Sequence, residues 1–198
     1  MGKFANKIIG INLLYKEENV TSNKKKLMTA QDVDRALHRI GLQILERNRN
    51  EQNIAIIGIH TGGVYLADRI RKIIIKESRE MITPFAGSLD ITLYRDDWSL
   101  AWQNPVVKKT DIPFSVEGKT VILIDDVLFT GRTIRAALDA LMDFGRPRSI
   151  QLAVLIDRGC RELPIQPDYA GMKVETIVDE HANVLLKENS EMDEVVLG

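Results

Sequence analysis

Two adjacent carboxylates, Asp125 and Asp126, directly follow the apolar run Val121–Ile124, and Thr130-Gly131-Arg132-Thr133 comes shortly after them. Ionised aspartates only accept hydrogen bonds, which suits the hydroxyls of a sugar. The Thr-Gly-Arg-Thr turn stands ahead of an amphipathic segment that starts at Ile134. It would deliver orphan backbone N–H groups and two hydroxyls to a helix N-terminus, where the helix dipole also favours an anion. Sugar hydroxyls on one side and phosphate on the other describe a cradle for ribose 5-phosphate. Exposed loop acids are the bland alternative, but a fully apolar strand before the pair and a helix start after it argue against that.

These residues need a frame to hold them. An unbroken apolar run such as Val121–Ile124 fits a strand buried on both faces, as in a parallel sheet. Before it, Thr29 with Asp32 reads as a helix start, followed by the stripe Val33, Ala36, Leu37, Ile40, Ile44 and Leu45. Ile54–Ile59 is a second short apolar run, and His60-Thr61-Gly62-Gly63 leads from it into Val64, Leu66, Ala67, Ile70, Ile73 and Ile74. Strand, glycine-rich turn and helix make a β-loop-α unit. Leu89, Ile91 and Leu93 alternate with polar residues, so Ser88–Arg95 is expected to be a strand. From Arg95 to Asp111 the chain is polar and carries Trp98 and Trp102, and a connection of that length suggests a flexible lid. The helix after Thr133 presents Ile134, Ala137, Leu138 and Leu141 on one face and stops at Gly145, before Pro147.

Ile150–Ile156 reads as another strand, ending in Asp157-Arg158-Gly159-Cys160-Arg161-Glu162, and Val174–Val178 as a last one. The expected fold class is α/β, a mainly parallel twisted sheet flanked by helices, with its ligand site at the carboxyl ends of the strands. Loops 60–63, 125–133 and 157–162 would converge there. Residues 1–26 read as an N-terminal extension whose Lys24-Lys25-Lys26 run is solvated. Residues 27–198 are then one domain.

A net charge of −1 encodes no global attraction to nucleic acid or anionic membrane, so any such contact must come from a local patch. The single cysteine, Cys160, excludes an intramolecular disulfide and fits a reducing cytoplasm. No apolar run approaches the roughly 18 residues of a membrane helix. Despite Lys3 and Lys7, the start of the chain does not read as a signal peptide, because Gly10 and Asn12 interrupt Ile8–Tyr15.

Val121–Thr133 resembles the ribosyl-diphosphate motif of the type I phosphoribosyltransferases. SLDITLYRDD at 88–97, DDVLFTGRTIRAALDALMDFGRPRSIQLAVLIDRG at 125–159 and RELPI at 161–165 narrow the resemblance. They are similar to the bacterial pyrimidine operon attenuators that are also uracil phosphoribosyltransferases, over about residues 27–180. The resemblance implies that fold, with a small hood, and the joining of uracil to 5-phosphoribosyl diphosphate to give UMP and diphosphate. It implies that Asp125, Asp126, Val127, Leu128, Phe129, Thr130, Gly131, Arg132 and Thr133 hold the phosphoribosyl group. The two acids would orient the ribose hydroxyls and help fix Mg²⁺. His60, Thr61, Gly62 and Gly63 would meet the diphosphate, Tyr94 and Arg95 would close over the reaction, and Asp157, Arg158, Gly159, Cys160 and Arg161 would form the hood that reads the base. It further implies a homodimer or higher oligomer that binds operon leader mRNA, with Arg69, Arg71, Lys72, Arg146 and Arg148 as candidate contacts.

Two departures from the family pattern stand out. Many relatives carry Lys-Thr-Arg-Gly in the diphosphate turn, where this chain has His60-Thr61-Gly62-Gly63 without either cation. Cys160 stands where relatives often have His. Loss of both cations favours, as an alternative, a UMP-sensing RNA-binding regulator with weak catalysis. A purine phosphoribosyltransferase, differing only in the base loop, is the second alternative. Trp98 and Trp102 could stack on RNA bases, although packing within the lid or on a neighbouring subunit is the plainer expectation.

Overall fold

Helix α1 (Ala30–Arg47) begins where Thr29 and Asp32 cap each other reciprocally, the Thr29 hydroxyl accepting from Asp32 N and the Asp32 carboxylate accepting from Thr29 N. The computed structural model describes residues 25–96, 108–176 and 180–198. The expected stripe is buried, with Val33, Leu37, Ile40 and Ile44 almost fully covered. Strand β2 (Ile54–Ile59) and helix α2 (Gly62–Glu77) follow as the first β-loop-α unit. β4 (Thr120–Leu128), α3 (Arg132–Met142) and β5 (Ser149–Asp157) form the second.

Among the described residues the main sheet has five strands, in the order β3-β2-β4-β5-β6, all parallel, with β3 at Phe85–Leu89 and β6 at Tyr169–Lys173. The apolar runs sit in its centre because both faces are covered. On β2 and β4, Ile54, Ile56, Ile122 and Ile124 pack under α1 and α2, while Ala55, Ile57, Val121 and Leu123 pack under α3. Each large aliphatic side chain buried this way contributes roughly 1.5–3 kcal/mol. The register Gly58↔Ile124 and Ile59↔Leu89 sets the ends of β2, β3 and β4 side by side.

A smaller antiparallel sheet, β1-β8-β7, joins Lys25–Met28, Glu194–Leu197 and Ala182–Leu185. It forms the hood. Strand β1 takes in two residues of the expected extension: Lys25 and Lys26 pair with Leu197 and Val196, and Lys26 also meets Glu194 at 2.7 Å. The hood is tied to α2 through Arg69, whose guanidinium bonds both oxygens of Asp193 at 2.7 and 2.8 Å and both of Glu188 at 2.9 and 2.6 Å.

Two expected strands are corrected. Ser88–Arg95 is not one strand: β3 ends at Leu89, and Thr92–Tyr94 is a turn of 3₁₀ helix. Leu89 and Ile91 are buried but Leu93 is 67% exposed, so the alternation stops one position short of its third apolar residue. Asp90 turns the chain there, its carboxylate accepting from Thr92 N at 2.9 Å and Thr92 Oγ1 at 2.6 Å. Likewise the strand beside β5 is Tyr169–Lys173 rather than Val174–Val178. Gly171 concealed it in the sequence, yet a glycine is needed because a Cβ there would lie 2.5 Å from the Leu155 carbonyl. Ile177 and Val178 lie outside the described residues, as do residues 1–24 of the extension and most of the lid, with Trp98 and Trp102.

Candidate active site

The acid pair belongs to the last turn of pleat in β4. Asp125 is buried at 5% exposure and Asp126 is half-buried. Asp126 N donates to Asp125 Oδ1 at 3.1 Å, and Val127 N donates to Asp126 Oδ1 at 2.8 Å. Burial pushes the Asp125 carboxyl well above the usual range, and the neighbouring Asp126 charge adds to that, while the Asp126 amide and the Arg95 charge oppose it. Asp126 is raised as well, mainly by burial, against the hydrogen bonds from the Val127 amide and its own. The fold thus holds two adjacent carboxylates in a poorly hydrated place, which is costly without a bound cation or hydroxyl donors.

The turn after β2 packs directly on these acids. A Cβ at Gly62 would stand 2.2 Å from Asp126 Oδ2, and one at Gly63 would stand 2.3 Å from the Ile124 carbonyl. Glycine at 62 and 63 therefore lets the start of α2 approach β4. The His60–Thr61 peptide bond is cis, and His60 N donates to the Leu89 carbonyl at 3.0 Å.

On the other side of the acids, Gly131 at φ +94° opens α3. Gly131, the residue at the helix start, has no side chain to cap it, and the Arg132 amide meets only the Thr130 hydroxyl, at 3.4 Å, beside the cavity. The Thr130 carbonyl is taken by Glu162 N at 3.0 Å and Leu163 N at 3.2 Å. Val127–Thr133 with Arg95 and Asp96 line a cavity of about 320 Å³. The lining takes in Thr130–Thr133, the turn expected from the sequence to cradle an anion, and Arg95. The Arg132 side chain points elsewhere, to Glu162 and to Asp96, each at 2.6 Å. Tyr94 donates its hydroxyl to Asp143, and its carbonyl accepts from Arg135 at 3.1 Å, so it braces the lid's base on α3.

Loop 157–162 lies against Phe129 and is knotted from within. Arg161 donates to Asp157, to the carbonyls of Phe129 at 2.8 Å and Gly159 at 2.7 Å, and to Ile165 O at 2.8 Å. Arg158 stacks over the Phe129 ring at 3.9 Å and bonds Thr176 Oγ1 at 3.0 Å. Asp157, Arg158 and Arg161 thus shape the loop, while Cys160, at φ +53°, and Glu162 are exposed.

Residues 25–189 match the phosphoribosyl transferase domain family. The Bifunctional protein PyrR of Syntrophobacter fumaroxidans is 48% identical over 178 residues, 90% of this chain and 95% of that protein. The Bifunctional protein PyrR of Thermoanaerobacter sp. is 52% identical over 88% of this chain and 97% of its own length. The chain belongs to the PyrR family of phosphoribosyltransferases. Among solved structures, a hypoxanthine-guanine phosphoribosyltransferase from Bacillus anthracis superposes with a TM-score of 0.65 at 17% identity, covering 86% of this chain and 95% of that one. At that identity it shows the type I phosphoribosyltransferase fold.

PyrR membership leaves the candidate RNA contacts to be judged on geometry. Arg69 is withdrawn from that role, since its side chain is mostly buried and fully engaged with Asp193 and Glu188. Arg71 donates to Pro84 O at 2.8 Å, Lys72 meets Asp68 at 2.6 Å and Arg148 meets Glu51 at 2.7 Å. Arg71 and Lys72 lie on α2, whereas Arg146 and Arg148 follow α3 on the opposite layer. Among the described residues no group of three or more His, Cys, Asp or Glu side chains could hold a metal, and no helix is long and apolar enough to cross a membrane.

Proposed function

We propose that this chain is a uracil phosphoribosyltransferase, joining N1 of uracil to C1 of 5-phosphoribosyl diphosphate with release of diphosphate, and a regulator of pyrimidine genes through leader mRNA. The observation that carries it is the pair of adjacent carboxylates, Asp125 buried and Asp126 half-buried, flanked by the glycine turn and by the cavity that Val127–Thr133 line. The amides of Gly131–Thr133 and the hydroxyls of Thr130 and Thr133 take the 5-phosphate. Asp125 and Asp126 accept from the two ribose hydroxyls. As the bond from C1 to diphosphate oxygen lengthens, positive charge grows on the sugar, and two fixed carboxylates beside it favour that charge. The turn at 60–63 brings backbone amides to the departing diphosphate. Arg95 and Tyr94 guard the open edge and limit water, which would otherwise hydrolyse the sugar.

A Mg²⁺ ion fits the donor set. Two carboxylates held in a dry site are too few for a protein-only cage but enough for an ion carried largely by substrate phosphates and water, where it would neutralise diphosphate charge. Loop 157–162 reads the pyrimidine, and its Phe129–Arg158 stack forms a rigid wall. The protein works as a homo-oligomer in the cytoplasm.

The absence of Lys and Arg from His60–Gly63 favours a second reading, a UMP-sensing regulator with weak catalysis. One experiment addresses both: UMP formation measured with 5-phosphoribosyl diphosphate, Mg²⁺ and a panel of uracil, hypoxanthine and guanine. Uracil should be the substrate. UMP binding without turnover would leave the regulator, and a purine preference would sink the uracil assignment.

A further inference from the structure

The diphosphate turn lacks a cation of its own, and the fold brings one to it from elsewhere in the chain. Lys108 Nζ donates to Thr61 Oγ1 at 2.6 Å, although the two residues are 47 positions apart. Both side chains are exposed. The approach is built by the sheet. β3 runs parallel to β2 in the register Ile59↔Leu89, and His60 N is bonded to Leu89 O. Beyond β3, the segment that holds Lys108 is fastened back onto the same strand end. Ser88 and Asp111 exchange two backbone hydrogen bonds of 2.8 and 2.9 Å, and Thr110 Oγ1 accepts from Asp90 N at 3.0 Å. The Lys108 amide itself donates to the Asp90 carboxylate. Asp90 thereby fixes the backbone on both sides, at Thr92 and at Lys108, and the lysine has one nearby turn to reach.

We propose that Lys108 is a catalytic residue that binds the diphosphate, supplying the positive charge that the His60–Gly63 turn lacks. This rests on the uracil phosphoribosyltransferase reading. Thr61 adjoins Gly62, whose backbone lies against the Asp126 carboxylate, so the ammonium on Thr61 Oγ1 sits one residue from the contact between the turn and the acid pair. A diphosphate arriving at that turn meets Asp126 and needs a cation to offset the repulsion. With diphosphate present, the Lys108 ammonium exchanges the neutral Thr61 hydroxyl for a charged phosphate oxygen, a stronger acceptor. As the bond from C1 to oxygen breaks, the electron pair stays on diphosphate and the ammonium stabilises it. Lys108 transfers no proton in this step; the proton on uracil N1 leaves to solvent as the new bond to C1 forms.

The test compares ligands that differ in the diphosphate. Titration calorimetry with Mg²⁺-diphosphate and, separately, with UMP is run on the full-length protein and on Lys108→Gln and Lys108→Arg, with UMP formation assayed in parallel. Lys108→Gln should weaken diphosphate at least about tenfold and lower kcat/KM for 5-phosphoribosyl diphosphate about a hundredfold, while leaving UMP affinity and the thermal midpoint unchanged. Lys108→Arg should recover a large part of both losses. The proposal is overturned if diphosphate and UMP weaken together, which marks a structural tie, if neither weakens, or if the wild-type protein binds no diphosphate. Wild-type protein that binds diphosphate but forms no UMP overturns the enzyme assignment instead, and the binding comparison then decides Lys108 on its own.

Discussion

The backbone of Gly62 lies so close to the Asp126 carboxylate that a Cβ at residue 62 would stand 2.2 Å from Oδ2 and 2.8 Å from Cγ. The glycine turn and the acid pair are therefore one unit, held in contact because one side has no side chain. Gly62→Ala must push Asp126 aside or lift the start of α2 from β4. Displacement by about 1 Å at a reacting centre costs on the order of a hundredfold. UMP formation by Gly62→Ala should fall by about that factor, with the far-UV circular dichroism unchanged. Full activity would show that the turn does not position Asp126.

Burial of two adjacent carboxylates penalises the folded protein. At neutral pH the apoprotein bears the desolvation of Asp125 and its repulsion by Asp126. Asp125→Asn removes both and can still accept the Asp126 amide. The apoprotein should gain on the order of 1 kcal/mol in stability while losing activity, the exchange expected where a site is strained for function. Asp126→Asn should likewise impair turnover without unfolding the protein. Thermal melts beside activity assays check both, and an Asp125→Asn protein that melts lower would contradict the burial argument.

How far the sequence reveals this molecule depends on how local each signal is. β2, β4, β5 and the three helices were legible because apolar runs and capping pairs act within a few residues, as Thr29 with Asp32 shows. The acid pair and the Thr130–Thr133 turn were legible for the same reason. The hood was expected only from the resemblance, and its strands were not legible, because β1 and β8 are four residues each and pair across nearly the whole chain, from Lys25 to Leu197. The lysine at Thr61 was hidden similarly: nothing near Lys108 in sequence points to residue 61, and only the β2–β3 register joins them. Arg161 was visible as a loop residue, but not as one spent on the carbonyls of Phe129, Gly159 and Ile165.

The Arg69–Asp193 pair makes the hood sensitive to acid. Hydrogen bonds from Arg69 hold Asp193 below the ordinary carboxylate range, and they do the same to Glu188. Such acids bind fewer protons folded than unfolded, so their contribution is complete above the unfolded values near about pH 4 and is lost as pH falls through the lower folded values. The thermal midpoint should drop as pH falls from about 5 to 3. Asp193→Asn should cost about 2 kcal/mol at pH 7, since it leaves a mostly buried guanidinium with Glu188 alone. The variant should also lose less on acidification, and an equal acid slope in both proteins would rule the pair out as its source.

Arg132 and Gly131 are neighbours in the turn that opens α3, with opposite uses. Arg132 sends its side chain outward to Asp96 and Glu162, all three about half exposed, so it links the lid's base to the base loop. Exposed ion pairs contribute little, and a phosphate held by amides does not need that guanidinium. Arg132→Ala should therefore leave UMP affinity within about fivefold of wild type. Gly131 instead sets the left-handed turn at φ +94°, and a Cβ there would lie 3.4 Å from Ile165 and 3.5 Å from Leu163. A β-branched residue is strongly disfavoured in that conformation, so Gly131→Val should re-aim the amides and lose about a hundredfold or more in UMP affinity. Calorimetric titration of the two variants with UMP separates the cases. A larger loss for Arg132→Ala than for Gly131→Val would mean that side-chain charge, not the backbone, holds the phosphate.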